Sequence, residues 1–463
     1  MHDEIEALAS RVAGPVLVPG DGDYDTERTG ANLAVRHRPD LIVGAARADD
    51  VREAVLFAAR HGLPVAVQAT GHGFATAAEG GLLVTTGRMA DVHVDPERRT
   101  VTVGAGARFD QVIPEAARYG LAPLNGSAPH VGVVAYTLGG GVGLLVRTFG
   151  WAADTVRSFD LVTADGSLRH VTSEDDPELY WAVVGGRDNF GIVTRLEMDL
   201  VPVSRLYGGG FFYDAEEAPD VLNVYARWTR GLPPEMNSSV ALIPMPDDSD
   251  VPEPMRGRHV YHVRIAYTGS ASDGERLVEP LRKAGPVLFE AVWDMPYTES
   301  ASIHDEPPHP VPFQRETAML DLLDEDVVRT LLEHAGPQAR VPCVVELRHL
   351  GGAAARPAQR PNCVAHREAP YLLSVVTLLV QATEDDARPV HRQLFGALKP
   401  VSSGAGLNFL GHGANAGAER VRDAYATADF ERLARLKSAH DPRNTFRLNH
   451  NIPPASDMTA SGN

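Results

Sequence analysis

Apolar and polar positions recur along this chain with two different periods. Over residues 49–62, Val51, Ala54, Val55 and Ala58 repeat at helical spacing and Gly62 closes the run, which predicts a helix capped by Asp49 or Asp50. The apolar run that follows predicts a strand over 63–68, and residues 81–85 a second short one. Asp91–Asp95 and Thr100–Val103 alternate on either side of a Pro96–Arg99 turn, which predicts a hairpin. A second hairpin is expected over 158–172 around Asp165-Gly166, and a helix over Phe109–Tyr119. Past residue 205 the strands lengthen: 206–213, 259–268, 286–293, 342–350 and 371–380, with helices near 214–230, 270–284 and 324–335 and proline-rich loops at 244–254 and 307–312. A last helix covers 429–439, and 455–463 reads as a disordered end. The fold class is therefore α+β, without the regular βαβ alternation of a doubly wound sheet. The expected domains are 1–205, then 206–410 with an antiparallel sheet flanked by helices, then a segment 411–463 that returns to the first.

Composition narrows the partners. The 463 residues carry a formal net charge of -18, which argues against a nucleic-acid partner and against an anionic membrane surface. The start, MHDEIEALASRVAG, is an acidic amphipathic helix with no basic region and no apolar core, so a signal peptide is not expected. No apolar run reaches the length of a membrane span, and the simplest expectation is a cytoplasmic protein, monomer or homodimer. Cys343 and Cys363 form neither a disulfide framework nor a zinc site. His304, Asp305, Glu306 and His309 have metal-ligand letters but sit in a proline-rich loop, so they read as surface or lid and no metal is expected.

The glycines raise the chemical question. A dinucleotide fingerprint needs G-x-G-x-x-G or A between a strand and a helix. Phe109 breaks it after Gly104 and Gly106, Val146 breaks it after Gly141 and Gly143, and Gly411–Ala416 has no βαβ unit around it. The Gly139–Gly143 run can be a nest of backbone N–H groups around a pyrophosphate, or a tight buried turn. In VQATGHGF, residues 67–74, His72 stands between Gly71 and Gly73, where it either caps a turn or meets a ligand.

Taken together these segments resemble the berberine-bridge-enzyme-like FAD-linked oxidoreductases, within the vanillyl-alcohol oxidase or PCMH-type superfamily. The resemblance rests on motifs in family order: Pro19-Gly20-Asp21 with Tyr24, Gly71-His72-Gly73, Val103–Gly106, Val131–Val133 leading to Leu138–Gly143, Gly150 with Asp154, Val162–Gly166, Leu179–Ala182 with Gly185-Gly186 and Asn189-Phe190-Gly191, and finally Leu433–Lys437, Asp441-Pro442 and Asn449 with Asn451-Ile452. It covers nearly the whole chain and is weakest over 205–400.

The resemblance implies a two-lobed architecture, with a PCMH-type FAD-binding domain and a substrate domain laid over the flavin. It implies FAD joined covalently through His72, whose neutral ring is a competent nucleophile toward the flavin 8α-methyl. Many relatives add a cysteine link; Ala128 occupies that position, so a single bond is expected. Further cofactor-binding positions implied are Thr70, Gly71, Gly73, Val131, Gly132, Thr137, Gly139, Gly140, Gly141, Gly143, Ile192, Asn408, Asn449 and Asn451. Val131 matches a position that gates oxygen, and valine there implies an oxidase passing electrons to O2 to give H2O2. Tyr136 matches a hydrogen-bond donor to the flavin N1 and C2-carbonyl region.

The catalytic base is the departure. Two tyrosines common in relatives are replaced by Val142 and Gly406. Alternation over 343–350 puts Glu346 and Arg348 on one face, where they are either a site pair with a carboxyl raised by burial or an ion pair in solvent. His262 with Arg264, Tyr371 and His412 are the other candidates. The implied reaction is hydride removal from a carbon bearing hydroxyl or amine in a small secondary metabolite: a sugar, polyketide or alkaloid. A non-redox cyclisation or elimination on a flavin-holding scaffold is the alternative, and a flavin-retaining binding protein the third reading.

Overall fold

The computed structural model describes residues 2–455 and 457; the expectation for 455–463 otherwise falls outside the described residues. Three sheets carry the fold among the described residues. The first contains β1 (Val16–Leu17), β2 (Leu41–Gly44), β3 (Val65–Gln68) and β4 (Leu82–Thr85), in the order β1-β2-β4-β3. Here β4 runs parallel to both β2 and β3, so a local parallel unit exists inside the α+β pattern. The helix Ala48–His61 connects β2 to β3 and ends on Gly62 at φ 66°. It has no side-chain cap: the Asp50 carboxylate instead accepts the N–H groups of Ala13, Gly14 and Ala46.

The second sheet is antiparallel: β5 (Val92–Asp95), β6 (Thr100–Gly104), β7 (Val156–Val162), β8 (Leu168–Thr172) and β9 (Ile192–Asp199), in the order β5-β6-β9-β7-β8. Both expected hairpins, β5–β6 and β7–β8, are present. Helices Phe109–Ala117, Val133–Leu138 and Pro177–Gly186 bury their apolar sides in one core with this sheet.

The third sheet has eight antiparallel strands: β10 (Arg205–Asp214), β11 (Met236–Pro244), β12 (His259–Tyr267), β13 (Val287–Pro296), β14 (Phe313–Leu320), β15 (Val344–His349), β16 (Tyr371–Leu378) and β17 (Ser402–Gly404). Their order is β13-β10-β12-β11-β15-β16-β14-β17. Strands β11, β14 and β17 and the helix Glu384–Leu398 are absent from the sequence reading. Their polar residues explain this: β11 opens Asn237-Ser238-Ser239, and β14 carries Gln314, Arg315 and Glu316. Four helices cover one face of the sheet, where Val263, Leu347, Leu373 and Val375 join Tyr225, Val278, Leu331 and Leu394 in a core. The period-2 alternation then sends Phe212, His262, Arg264, Glu346, Arg348 and Ser374 to the other face.

The C-terminal stretch is sewn to the second sheet's core. Lys437 is fully buried; its ammonium donates to the Asp441 carboxylate at 2.7 Å and to the carbonyls of Asn189 at 2.6 Å and Phe446 at 2.9 Å. The Asn189 side chain in turn donates to the His450 carbonyl and accepts the Ile452 N–H.

Candidate active site

The open face of the eight-stranded sheet and the glycine-rich loops of the first two sheets enclose one cavity of about 1140 Å³. That exceeds the usual range for a drug-sized ligand, about 300–1,000 Å³. The loop after β3 enters it as Ala69-Thr70-Gly71-His72-Gly73-Phe74. Gly71 has φ 72°, and a Cβ there would stand 2.5 Å from Gly30 Cα, so only glycine allows the loop to lie against residues 30–32. At Gly73 a Cβ would meet nothing nearer than the Arg187 guanidinium, at 3.7 Å, so that side stays open to the cavity.

His72 is held rather than free. Its Nδ1 lies 2.8 Å from Thr70 Oγ1, which also accepts the Gly132 N–H at 3.3 Å. Burial pushes the imidazole down to about 4, with His130 and Arg315 adding to the effect, so the ring is neutral at pH 7. His130, overlooked in the sequence because it precedes Val131 without a motif of its own, faces His72 at 5.1 Å between ring centroids.

Tyr136 lies in a slot made by missing side chains. A Cβ on Gly126, Gly141 or Gly143 would come within 2.8–3.1 Å of its ring or hydroxyl. The hydroxyl is buried without a hydrogen-bond partner among the described residues, and burial raises its pKa, so it remains a proton donor. Asn408 ties the helix carrying Tyr136 by donating to the Tyr136 carbonyl at 2.7 Å.

The cavity collects most of the expected residues: Thr70, Gly71, His72, Gly73, Ala128, Val131, Gly132, Tyr136, Asn408, Asn449, Glu346 and Arg348 all line it. It does not collect Thr137, Ile192, Asn451 or the turn from Gly139 to Gly143. The nest reading of that turn does not hold at its first two glycines. Gly139 and Gly140 give their N–H groups to the carbonyls of Ala135 and Thr137, and a Cβ on Gly139 would overlap Asn408. These glycines are required by packing. Ile192 is a core residue of β9, and Thr137 is fully buried beneath the cavity wall with its hydroxyl unpartnered.

Tyr371 is also corrected. It sits on the helix-covered face of β16, in the core, with its hydroxyl 2.6 Å from Thr229 Oγ1. His412 is mostly buried outside the cavity lining, 3.5 Å from Glu384.

Arg348 is buried, the Glu346 side chain is only 13% exposed, and both face the cavity, so they are not an ion pair in open solvent. The expectation of a carboxyl raised by burial fails too. Burial does pull it up, but Arg348 at 3.0 Å, His304 at 3.5 Å and Arg264 at 2.9 Å hold Glu346 well below the usual carboxylate range. Arg264 Nε donates to His262 Nδ1 at 3.0 Å; since arginine has no acceptor, His262 carries its proton on Nε2. The loop read as surface or lid is exposed over 305–310 and also lines the cavity; within it only His304 is buried. The described residues contain no cluster of His, Cys, Asp and Glu arranged to hold a metal.

These groups fit FAD. Glycine-lined backbone at 71, 73, 106, 126 and 132 gives a flat group close access, Tyr136 offers an unspent hydroxyl, and the Asn449 side-chain oxygen is buried without a partner. Both cysteines are buried outside the cavity, whereas His72 and His130 line it.

Comparisons with known proteins agree with this fit. The FAD binding domain family model matches residues 39–172, and the berberine and berberine-like model matches residues 406–453. An FAD-linked oxidoreductase of Dictyostelium discoideum is 27% identical, covering 97% of this chain and 97% of that protein. The (R)-6-hydroxynicotine oxidase of Paenarthrobacter nicotinovorans is 27% identical, covering 96% of this chain and 97% of its own length. The xylooligosaccharide oxidase of Myceliophthora thermophila C1, solved with xylobiose, shares the fold at a TM-score of 0.84 and 22% identity, covering 97% of this chain and 99% of that one. No helix among the described residues is long and apolar enough to cross a membrane.

Proposed function

We propose a specific chemistry for this chain, which belongs to the berberine-bridge-like FAD-linked oxidoreductases: it oxidises a carbon bearing a hydroxyl or amine in a small secondary metabolite, with O2 as the electron acceptor and FAD fixed by one covalent bond to His72. The segments 1–205 and 411–463 form the FAD-holding unit, and 206–410 form the substrate unit.

The observation that carries this reading is the state of His72. It is a neutral imidazole between two glycines at the cavity wall, with Nδ1 engaged by Thr70. Its Nε2 is the nitrogen left to form the bond, and the tautomer with Nδ1–H donating to Thr70 Oγ1 is the one that keeps that lone pair available. The family cofactor, when bound, supplies the hydride acceptor. The chain's residues supply the rest. Tyr136 directs an unspent O–H at developing negative charge. Val131 leaves space beside it for O2. Arg264, Glu346 and Arg348 hold the substrate's polar end in a fixed, ionised frame.

The test is acid precipitation of the purified protein. A yellow pellet that becomes colourless in His72→Ala supports the covalent link; yellow released to the supernatant of the parent protein refutes it. A second reading, non-redox cyclisation or elimination, draws on the absence of a phenol at Val142 and Gly406 and on the low basicity of Glu346. Anaerobic bleaching of the flavin by substrate excludes that reading; product formation with the flavin still oxidised supports it.

A further inference from the structure

The cavity wall formed by the eight-stranded sheet is graded along its strands. At the inner end, Ser239 pairs with both Arg264 and Arg348; in the next row Ala241 pairs with His262 and Glu346, and Glu346 with Ser374. This end abuts the FAD-holding unit, because Arg348 donates to the Val142 carbonyl at 3.2 Å and to Ser127 Oγ at 3.1 Å. One step outward the character changes. Ile243 follows Ala241 on the same face, Val344 pairs with Val376, and Phe313 pairs with Leu378. The exception, Arg315, lays its guanidinium over the rings of Phe313 and Phe409, at 5.0 and 5.6 Å. Met245 and Met255 close this end.

The inner row also has a defined hydrogen-bonding sense. Glu346 gives Oε1 to Arg264 and Oε2 to Arg348, and His262 Nδ1 takes the Arg264 Nε–H. Both Glu346 oxygens and His262 Nδ1 are thus engaged, Arg264 Nη2 keeps its N–H groups, and the Ser374 hydroxyl can donate or accept. One carboxylate in this part of the cavity differs. Glu306 lines it and forms no ion pair within 4.0 Å among the described residues, with the Ser127 hydroxyl beside it.

We propose that the substrate is an alcohol on an apolar skeleton: its hydroxyl sits in the inner row, accepting from arginine and donating to Glu306, while its apolar body lies along Ile243, Val344, Val376 and Leu378. A hydroxyl both accepts and donates, whereas an ammonium has no lone pair for the donors. An oligosaccharide would lay its hydroxyls along an outer wall that offers them few partners, and burying those hydroxyls unpaired is costly. This inference rests on the oxidase reading for which end of the cavity is the reacting one.

The experiment is calorimetric titration of the purified protein, as it carries its cofactor, with n-alkanols from C4 to C10, the matching n-alkylammonium ions, and xylose to xylotetraose. Each added methylene of the alcohols is expected to tighten binding about fourfold until the arm is filled. The ammonium of equal length should bind at least tenfold more weakly, and the sugars should show no gain per ring. In Ile243→Asn and, independently, Leu378→Asn, the gain per methylene should fall below twofold with butanol binding unchanged. Sugars that tighten with each ring while the alcohols stay flat overturn the apolar arm; ammonium ions that match the alcohols overturn the hydroxyl head. Flavin content, read separately from the acid pellet, reports on the oxidase reading alone.

Discussion

Arg348 and Ser127 join the eight-stranded sheet to the glycine-rich loop at 126–132: Arg348 Nη2 donates to Ser127 Oγ at 3.1 Å, while its Nε donates to Glu346 Oε2 at 3.0 Å. Arg348 and Glu346 both lie on β15 and form an ion pair in the cavity wall; the Arg348–Ser127 bond is what crosses to the glycine-rich loop. Glu346 is shared: Arg264 at 2.9 Å still pairs with it when Arg348 is removed, whereas removing Glu346 leaves two guanidinium groups without their carboxylate. Glu346→Leu is expected to cost about 3–5 kcal/mol in urea unfolding and Arg348→Met clearly less. Equal losses in the two variants would contradict this account.

Tyr136 offers the opposite case. Its hydroxyl has no protein partner, so Tyr136→Phe removes a desolvated group without breaking a bond. Stability should change by less than about 0.5 kcal/mol, whereas turnover should fall by about 10–100-fold if the phenol meets developing charge. Thermal melts and steady-state kinetics on the same variant decide it; a destabilised variant with full activity would make Tyr136 a structural residue.

The triple glycine is a packing device, and that is testable. Gly141 has φ 72°, and its Cβ would lie 2.6 Å from Ala152 Cβ and 2.8 Å from the Tyr136 ring. Gly141→Ala should therefore cost more than about 2 kcal/mol, adding overpacking to backbone strain. Gly120 has φ 69° but open space around it, so Gly120→Ala should cost only about 1–2 kcal/mol. Equal losses measured by urea titration would show that strain, not crowding, governs the turn.

His37 makes stability pH-dependent. It is almost fully buried, its Nδ1 accepts the Ala78 N–H at 2.9 Å, and burial, with Arg28 adding, pushes it down from 6.5 to about 4. A histidine whose folded pKa lies below its unfolded one binds more protons unfolded. Its full contribution is present above pH 6.5 and is lost as pH falls from 6.5 towards about 4. At about 1.4 kcal/mol per unit the loss approaches about 3 kcal/mol. Urea midpoints of the parent and His37→Gln, followed from pH 7.5 to 4, should show a shallower decline in the variant; parallel declines would assign the effect to other histidines.

Much of the candidate site was legible in the chain. His72 between glycines, Val131, Gly132 and Tyr136 are close in sequence to the elements that carry them, so local motifs place them. Glu346, Arg348, His262 and Arg264 were legible as pairs, because strand alternation assigns faces without saying which face is which. Tyr371 shows the limit: it satisfies the same alternation, yet it belongs to the helix-covered face, and only the packing of four helices reveals that.

The sequence by itself determined the α+β pattern, both hairpins, the glycine positions of the FAD-holding unit and the histidine at its centre, since these follow from local periodicity and backbone freedom. Tertiary structure alone decided which residues meet. It brought Ser127 against Arg348 across 221 positions of chain and drew His304 towards Glu346, turning an expected base into a clamped anion. It also packed the Gly139–Gly143 turn against Asn408, Ala152 and Tyr136. The physical reason is common to all three: charge state and close approach depend on neighbours distant in sequence, and no local pattern encodes the distance between them.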